Sequence, residues 1–439
     1  MKHKNHVLFV LSLALFFFNK TNAQETKTLT LNEAIELGVK NSKQLKLSQE
    51  KINEAIGATR QAEEARLPDA SISGSYVRLT KPDINIKTAG SDTSKGFVGP
   101  GITQALYGSA NISLPLYAGS KIRYGIESAR YLEQATRLDA DNDKEEVILN
   151  TIAAYINLYK ASVAVDVVQQ NLSQSRLQDS NFANLEKNGL LPRNDLLSAQ
   201  LQTSNFELAL VDAQNAIQLA TVNMNILLGL PESTKLTVDS ASITNPARLQ
   251  TIEEYEQSAS LNRNDIRSLN YRQKAADAAI KVAKGDYYPS VALTGGYIAA
   301  DIPNFLTITN AVTLGVGVKY NIGSLWKTRS KVQQAESREQ QVQISRDILT
   351  DNIHFSINQA YQNYLANLKK IDVNQKAVEQ ANENYRISKN KYDNSLLILT
   401  DLLDANVQQL RANLELKTSK ADAVLSYYTL QQTAGLLKQ

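Results

Sequence analysis

The sequence predicts a mainly helical chain built twice over, in which long antiparallel coiled-coil hairpins are joined to four short membrane-type β-strands. Three observations carry this fold class. The two halves match each other at fixed offsets. Each half holds a very long polar stretch nearly free of proline and glycine. Each also holds two segments of about ten residues in which apolar and small or polar residues alternate.

The first 23 residues read as a signal peptide: Lys2 and Lys4 precede the apolar run Val7–Phe18, and "TNA" ends in a small residue at Ala23. Such a run is too short for a permanent span, which needs about 20 residues. No later stretch is expected to cross a bilayer as a helix, which leaves β-type membrane contact or none. The segment carries three lysines and no acids, so its removal takes the formal charge from +3 to zero and with it the case for a nucleic-acid partner.

Cysteine is absent, which excludes disulfides, thiolate zinc sites and a lipid-anchored cysteine. The one histidine after the signal, His354, lies in a helical polar stretch, where a solvated residue is expected and a nucleophile triad has no partners. G-x-S-x-G, a complete G-x-G-x-x-G, the P-loop and H-E-x-x-H are all missing. The chain is therefore not expected to be an enzyme, and no catalytic, cofactor-binding or metal residues are assigned.

The duplication sets the domain organisation. "ATRQAEEARLPDASISGSY" (Ala58–Tyr76) aligns with "AIKVAKGDYYPSVALTGGY" (Ala279–Tyr297) at an offset of 221, placing Pro68 on Pro289 and Gly74 on Gly295. Further on the offset is 206: Tyr155 falls on Tyr361, Asp195-Leu196-Leu197 on Asp401-Leu402-Leu403, and Gly229-Leu230 on Gly435-Leu436. Residues 1–23 are then the signal, 24–236 a first repeat, 237–251 a connection, and 252–439 a second repeat.

Within each repeat the elements follow one order. A helical segment comes first (Leu31–Arg66 and Ile252–Asp286), ended by a proline that cannot continue it. Two strands follow: Ala70–Leu79 and Ala105–Tyr117 in the first repeat, Ser290–Ala300 and Ala311–Asn321 in the second. Their connections differ, a long Gly-, Ser- and Pro-rich loop at Thr80–Thr103 against the shorter "DIPNFLTITN", which accounts for the change of offset.

The long helices come next. Ser324–Ala434 contains neither proline nor glycine, and Ile357, Tyr361, Tyr364, Leu368 and Ile371 recur in steps of 4, 3, 4, 3. That heptad spacing places one seam on a partner helix, and Leu403, Val407, Leu410 and Leu414 are expected to continue it after the turn. The corresponding first-repeat positions Thr151, Tyr155, Leu158, Ser162 and Val165 are less apolar.

Four strands in two separated hairpins form no stable sheet alone. Ten alternating residues suit a tilted membrane strand, and open edges cannot exist in lipid, so the strands are expected to close with copies of themselves in a symmetric ring. A small soluble sheet capping a helical bundle is the plainer alternative.

The pairs "LPDASISGSY" and "YPSVALTGGY", "PLYAGSK" and "YNIGSLW", "GLLPRNDLLSAQ" and "SLLILTDLLDAN", with "LLGLPE" closing the first half, resemble the TolC-like outer-membrane efflux proteins. The resemblance spans essentially the whole chain after the signal. It implies a homotrimer in the outer membrane of a Gram-negative bacterium, whose subunits give four strands each to one twelve-stranded β-barrel. Long helices would continue that barrel as an α-helical tunnel through the periplasm. A periplasmic adaptor would join it to an inner-membrane pump, for efflux or type I secretion.

The resemblance also implies roles for the hairpin turns. Asp401 and Asp404 match acids that project into the tunnel constriction as cation-selective rings. Asp195 and Tyr392 match contacts that hold the tip shut. Gly189, Leu190 and Leu191, with Ser395, Leu396 and Leu397, occupy the adaptor-docking tips. The arginine some members carry at the position of Leu397 is missing, so a latch between it and Asp195 cannot form. Apart from the resemblance, Asp401 and Asp404 read as acids complementing a helix N-terminus. A structural or adhesive coiled-coil envelope protein anchored by its strands is the alternative function.

Overall fold

The computed structural model describes residues 26–80, 103–243, 249–303 and 305–437. The signal segment and residues 81–102 of the long loop lie outside the described residues. The chain begins with β1 (Thr26–Leu29), α1 (Leu31–Asn41), α2 (Lys43–Glu64), β2 (Asp69–Arg78) and β3 (Gln104–Ala118). It continues through α3 (Lys121–Lys187), α4 (Arg193–Leu228) and β4 (Lys235–Val238). A second pass follows: α5 (Ile252–Asn262), α6 (Asn264–Lys284), β5 (Ser290–Ile302), β6 (Leu306–Lys319), α7 (Ser324–Asp393) and α8 (Leu399–Thr433). The chain divides into two units. One, the sheet unit, comprises Gln49–Ala140 and Asn264–Thr350; the other, the hairpin unit, comprises the described residues up to Ser48, Asp141–Arg263 and those from Asp351 on.

In the hairpin unit the helix starts are built alike. Thr30 and Glu33 form a reciprocal capping box on α1, and Thr251 and Glu254 form the same box 221 residues later on α5. This satisfies backbone donors that a helix start otherwise leaves open. The segments expected as single helices, Leu31–Arg66 and Ile252–Asp286, are each two. Extended residues break them at Ser42 (ψ 121°) and Arg263 (ψ 126°), again 221 residues apart.

The reason lies at the far end of each repeat. Gly229 and Gly435 end their hairpins with left-handed φ of 67° and 68°. A Cβ on Gly229 would stand 2.9 Å from Asn41 Cβ, and one on Gly435 3.0 Å from the Arg263 amide nitrogen. Asn41 Nδ2 donates to the Leu228 carbonyl (2.6 Å), and the Arg263 guanidinium donates to that of Thr433 (2.8 Å). The breaks are thus the docking points of the returning helices.

Two four-residue strands escape the sequence pattern. β1 and β4 pair in parallel, Thr26 to Lys235 through Leu29 to Val238. The buried Tyr155 hydroxyl reaches the carbonyls of Leu29 (3.0 Å) and Asp239 (3.1 Å), tying this small sheet to α3. Leu29, Ile152, Tyr155, Leu158, Met224 and Leu228 form the core beneath it. One window of α3 reaches membrane-span length and hydropathy, contrary to the expectation that no later stretch does. Half of that window is buried, and Ile148, Ile152 and Ile156 pack into this core, so its hydropathy reflects core packing.

The seam expected on α7 is present, with Ile357 and Tyr364 buried and Tyr361, Leu368 and Ile371 partly so. On α8 the expectation is off by one position. The buried line is Leu399, Leu402, Ala405, Ala412 and Ser419, and Val407 is exposed. Small residues on the seam let helices approach closely, and the larger leucines flank it. In the first repeat, Leu196, Ala199, Phe206 and Ala213 of α4 hold the matching positions.

In the sheet unit the strand order is β2-β3-β5-β6, antiparallel throughout. The second hairpin is tighter than expected. Most of "DIPNFLTITN" belongs to the strands, leaving 303–305 as the connection. β-branched Thr307, Ile308 and Thr309 favour extended pairing, and Asn310 (φ 58°) absorbs an irregularity in register between Ile298 and Ala300.

Candidate functional site

The four-stranded sheet has two chemically distinct faces. Register places Ile72 opposite Ala110, Ala110 opposite Tyr297, and Tyr297 opposite Val312. The next row on the same face runs Ala70, Ile112, Gly295, Leu314, and the row beyond adds Leu114, Leu293 and Val316. The other face carries Ser73, Ser109, Ile298 and Ala311, then Ser71, Asn111, Gly296 and Thr313, then Asp69, Ser113, Thr294 and Gly315. One face is therefore apolar across all four strands, and the other is mostly small and polar.

The apolar face is bare. Ile72 is 90% exposed, Leu314 82% and Val312 75%. A soluble sheet buries such a face under a second layer. Exposed Tyr76 and Phe305 sit toward the hairpin ends, and Tyr117, Tyr288 and Tyr320 toward the helical ends, as in the aromatic girdles of membrane strands. β2 and β6 each pair on one side only, so both edges are open.

At the foot of the sheet, Asp286 accepts hydrogen bonds from Lys121 (2.8 Å) and Lys331 (2.7 Å). Those two bonds hold its carboxyl below the ordinary range. The clamp joins the starts of α3 and α7 to the segment entering β5.

In the hairpin unit the two turns have one geometry. Gly189 donates to the Glu186 carbonyl (2.8 Å) and Leu190 to that of Leu185 (2.9 Å). In the second repeat, Ser395 donates to Tyr392 (2.9 Å) and Leu396 to Lys391 (2.8 Å). This paired pattern closes a helix C-terminus and places its corner residue in the left-handed region: φ is 72° at Gly189 and 60° at Ser395.

Beneath the turns, Phe182, Leu196, Ala199, Leu399 and Leu402 form a small core, with Leu191, Tyr385 and Tyr392 against it. Tyr392 packs on Phe182 with ring centroids 5.8 Å apart. Burial, followed by the Asp195 charge, pushes its phenol up. Asp195 and Tyr392 are thus brought together, but among the described residues no hydrogen bond joins them. Both line a groove of about 720 Å³ with Leu190, Leu191 and Leu397.

Leu190 and Leu396 project from the turns, 72% and 75% exposed, whereas Leu191 and Leu397 are half-buried. Asp401 and Asp404 are exposed on the first turns of α8, next to the buried Leu402–Ala405 line. Among the described residues neither makes an ion pair or a side-chain hydrogen bond.

One feature of this unit was not anticipated from the sequence. Leu197, Leu201, Leu208, Leu219 and Ile226 form an exposed apolar stripe along α4, and Phe355, Val373 and Ile387 form one on α7. Their spacings of 4, 7, 11 and 7, and of 18 and 14, keep each set on one helix face. These spacings follow the heptad period, which the seam within the chain shares, so in the sequence the two cannot be told apart by period alone.

Residues 256–436 match the family described as outer membrane efflux protein. The chain is 23% identical over 325 residues to the outer membrane efflux protein BepC of Brucella suis biovar 1, covering 73% of this chain and 70% of that protein. It is 21% identical over 369 residues to the outer membrane protein TolC of Vibrio cholerae, covering 82% and 83%. Among solved structures it is similar to the outer membrane protein VceC of Vibrio cholerae. That match has a TM-score of 0.74 at 19% identity, over 92% of this chain and 96% of that one.

Proposed function

We propose that this chain, a TolC-like member of the outer membrane efflux protein family, is an outer-membrane channel. It conducts substrates passively out of the cell. The observation that carries this function is the sheet with one bare apolar face, one small and polar face, and two open edges. In lipid, such edges must be paired. β2 and β6 run antiparallel, so β6 of one copy can pair with β2 of the next and close an all-antiparallel ring. The apolar rows then meet lipid and the polar rows line a lumen. Three copies, as in the TolC-like assembly, give twelve strands.

The exposed stripes on α4 and α7 suit the same arrangement, with each stripe covered by a neighbouring copy. The two repeats, 24–236 and 252–439 joined through 237–251, would each supply one hairpin to a periplasmic tunnel. Asp401 and Asp404 would form its constriction, and Asp195 and Tyr392 would lie between neighbouring hairpins at the tip. Leu190, Leu191, Leu396 and Leu397, with the corners Gly189 and Ser395, would meet a periplasmic adaptor that joins the channel to an inner-membrane pump.

The purified protein in a planar lipid bilayer should give discrete, ohmic conductance steps. A folded, membrane-inserted protein without such steps would favour the second reading, a structural coiled-coil protein anchored by its strands.

A further inference from the structure

A cavity of about 800 Å³ in the sheet unit lies where the apolar face ends. Its upper wall is the foot of β3, including the exposed Leu116 and Tyr117, and Arg66, Arg123 and Arg130 also line it. Two of these guanidiniums lack a carboxylate among the described residues. Arg66 uses its Nε on the Glu63 backbone carbonyl (3.1 Å), and Arg123 lies 5.7 Å from the centre of the Tyr124 ring. Arg130 is paired to Glu63, and the groove's one acid, Glu127, accepts from the Tyr131 hydroxyl (3.2 Å). The groove is cationic, with two guanidiniums to spare.

The duplication supplies an internal control. At the offsets that relate the repeats, Arg66 falls on Tyr287 and Arg130 on Glu336; only Arg123 keeps a basic counterpart, Arg329. The basic groove is a property of the first repeat and not of the shared fold.

We propose that this groove binds the phosphate headgroup of an anionic glycerophospholipid in the membrane leaflet on the helical side of the sheet. Guanidinium forks match phosphate oxygens in charge and geometry. The adjoining Tyr117, paired with Val291, continues the apolar face along which the acyl chains would lie, and the exposed Leu116 stands beside it at the bulge of β3. A free anion would use the arginines but would gain nothing from that wall. The proposal rests on the membrane placement of the sheet argued above.

The test is native mass spectrometry of the detergent-purified, delipidated assembly, titrated with phosphatidylglycerol, with zwitterionic phosphatidylcholine, or with inorganic phosphate. Phosphatidylglycerol should bind in preference to phosphatidylcholine. Arg66→Gln/Arg123→Gln should weaken it about thirtyfold, at roughly a fivefold loss per guanidinium near a charged membrane surface. Arg66→Lys/Arg123→Lys should retain most of the binding, and Arg329→Gln all of it. Equal binding of the two lipids, an unchanged Gln variant, or displacement of phosphatidylglycerol by millimolar phosphate would overturn the proposal. Bilayer conductance of the same preparation keeps the two ideas apart. A conducting assembly without lipid preference sinks only this site, whereas a protein that never conducts sinks the channel as well.

Discussion

Gly189 and Ser395 occupy the same corner of two duplicated turns, both left-handed, with φ of 72° and 60° and matching backbone hydrogen bonds. A residue with a Cβ pays about 1–2 kcal/mol in that region, partly offset by the greater freedom glycine loses on folding. Ser395→Gly should therefore stabilise the protein by about 0.5 kcal/mol, and Gly189→Ser should destabilise it by a similar amount. Chemical unfolding followed by helical circular dichroism measures both; a destabilised Ser395→Gly protein would show that the serine hydroxyl holds the turn.

Leu190 and Leu396 are exposed side chains at those turns, and contiguous exposed apolar surface marks a partner. Leu190→Glu/Leu396→Glu should abolish substrate export in cells while leaving assembly and bilayer conductance intact, because neither side chain is needed by the core beneath. Normal export would mean that the leucines meet no adaptor.

Leu314 and Thr313 are neighbours on β6 that point to opposite faces of the sheet. Leu314→Arg should cost about 2–4 kcal/mol of membrane-folded stability near the bilayer midplane, whereas Thr313→Arg on the lumen side should fold and change ion selectivity. Stability measured by refolding into lipid vesicles separates the two; equal losses would contradict the assignment of the faces.

Much of this architecture was legible in the sequence because it follows from period and punctuation. Pro68 and Pro289, the alternation through Ile72 and Leu314, and the α7 seam at Ile357 and Tyr364 all declare their elements locally. What escaped depends on tertiary partners. β1 and β4 are too short to show a period, and exist because Tyr155 and the core hold them. The breaks at Ser42 and Arg263 occur where Gly229 and Gly435 return. The α8 seam passes through Ala405 and Ala412, which hydrophobic counting ranks below the adjacent leucines. At the tip, the sequence located the turns and their exposed leucines, but the contact of Tyr392 with Phe182 is set by the facing hairpin.

Asp401 and Asp404 are exposed on α8, three residues apart on one helix face, and make no ion pair among the described residues. Carboxylate rings select cations. The double substitution to Asn keeps size and helix geometry, and should lower cation selectivity and weaken block by trivalent cations in planar bilayers. Reversal potentials and block identical to those of the unmodified protein would leave these acids as complements to the helix N-terminus.

If copies of this chain close the ring, β2 of one copy lies against β6 of the next, and cysteine cross-linking between these strands reads that contact out. The chain has no cysteine of its own, so every disulfide must come from introduced pairs. Within one copy the two strands are opposite edges of the sheet, roughly 15 Å apart at about 4.8 Å per strand, and a disulfide tolerates no more than about 7 Å between Cα atoms. A scan combining Ser71→Cys or Ser73→Cys with Thr313→Cys or Gly315→Cys keeps all substitutions on the small, polar face. At least one pair should give, on oxidation in membranes, a reducible ladder of covalent dimers and trimers that ends at three. Monomers alone from every pair, in protein that is folded and membrane-inserted, would contradict closure of the sheet by its own copies.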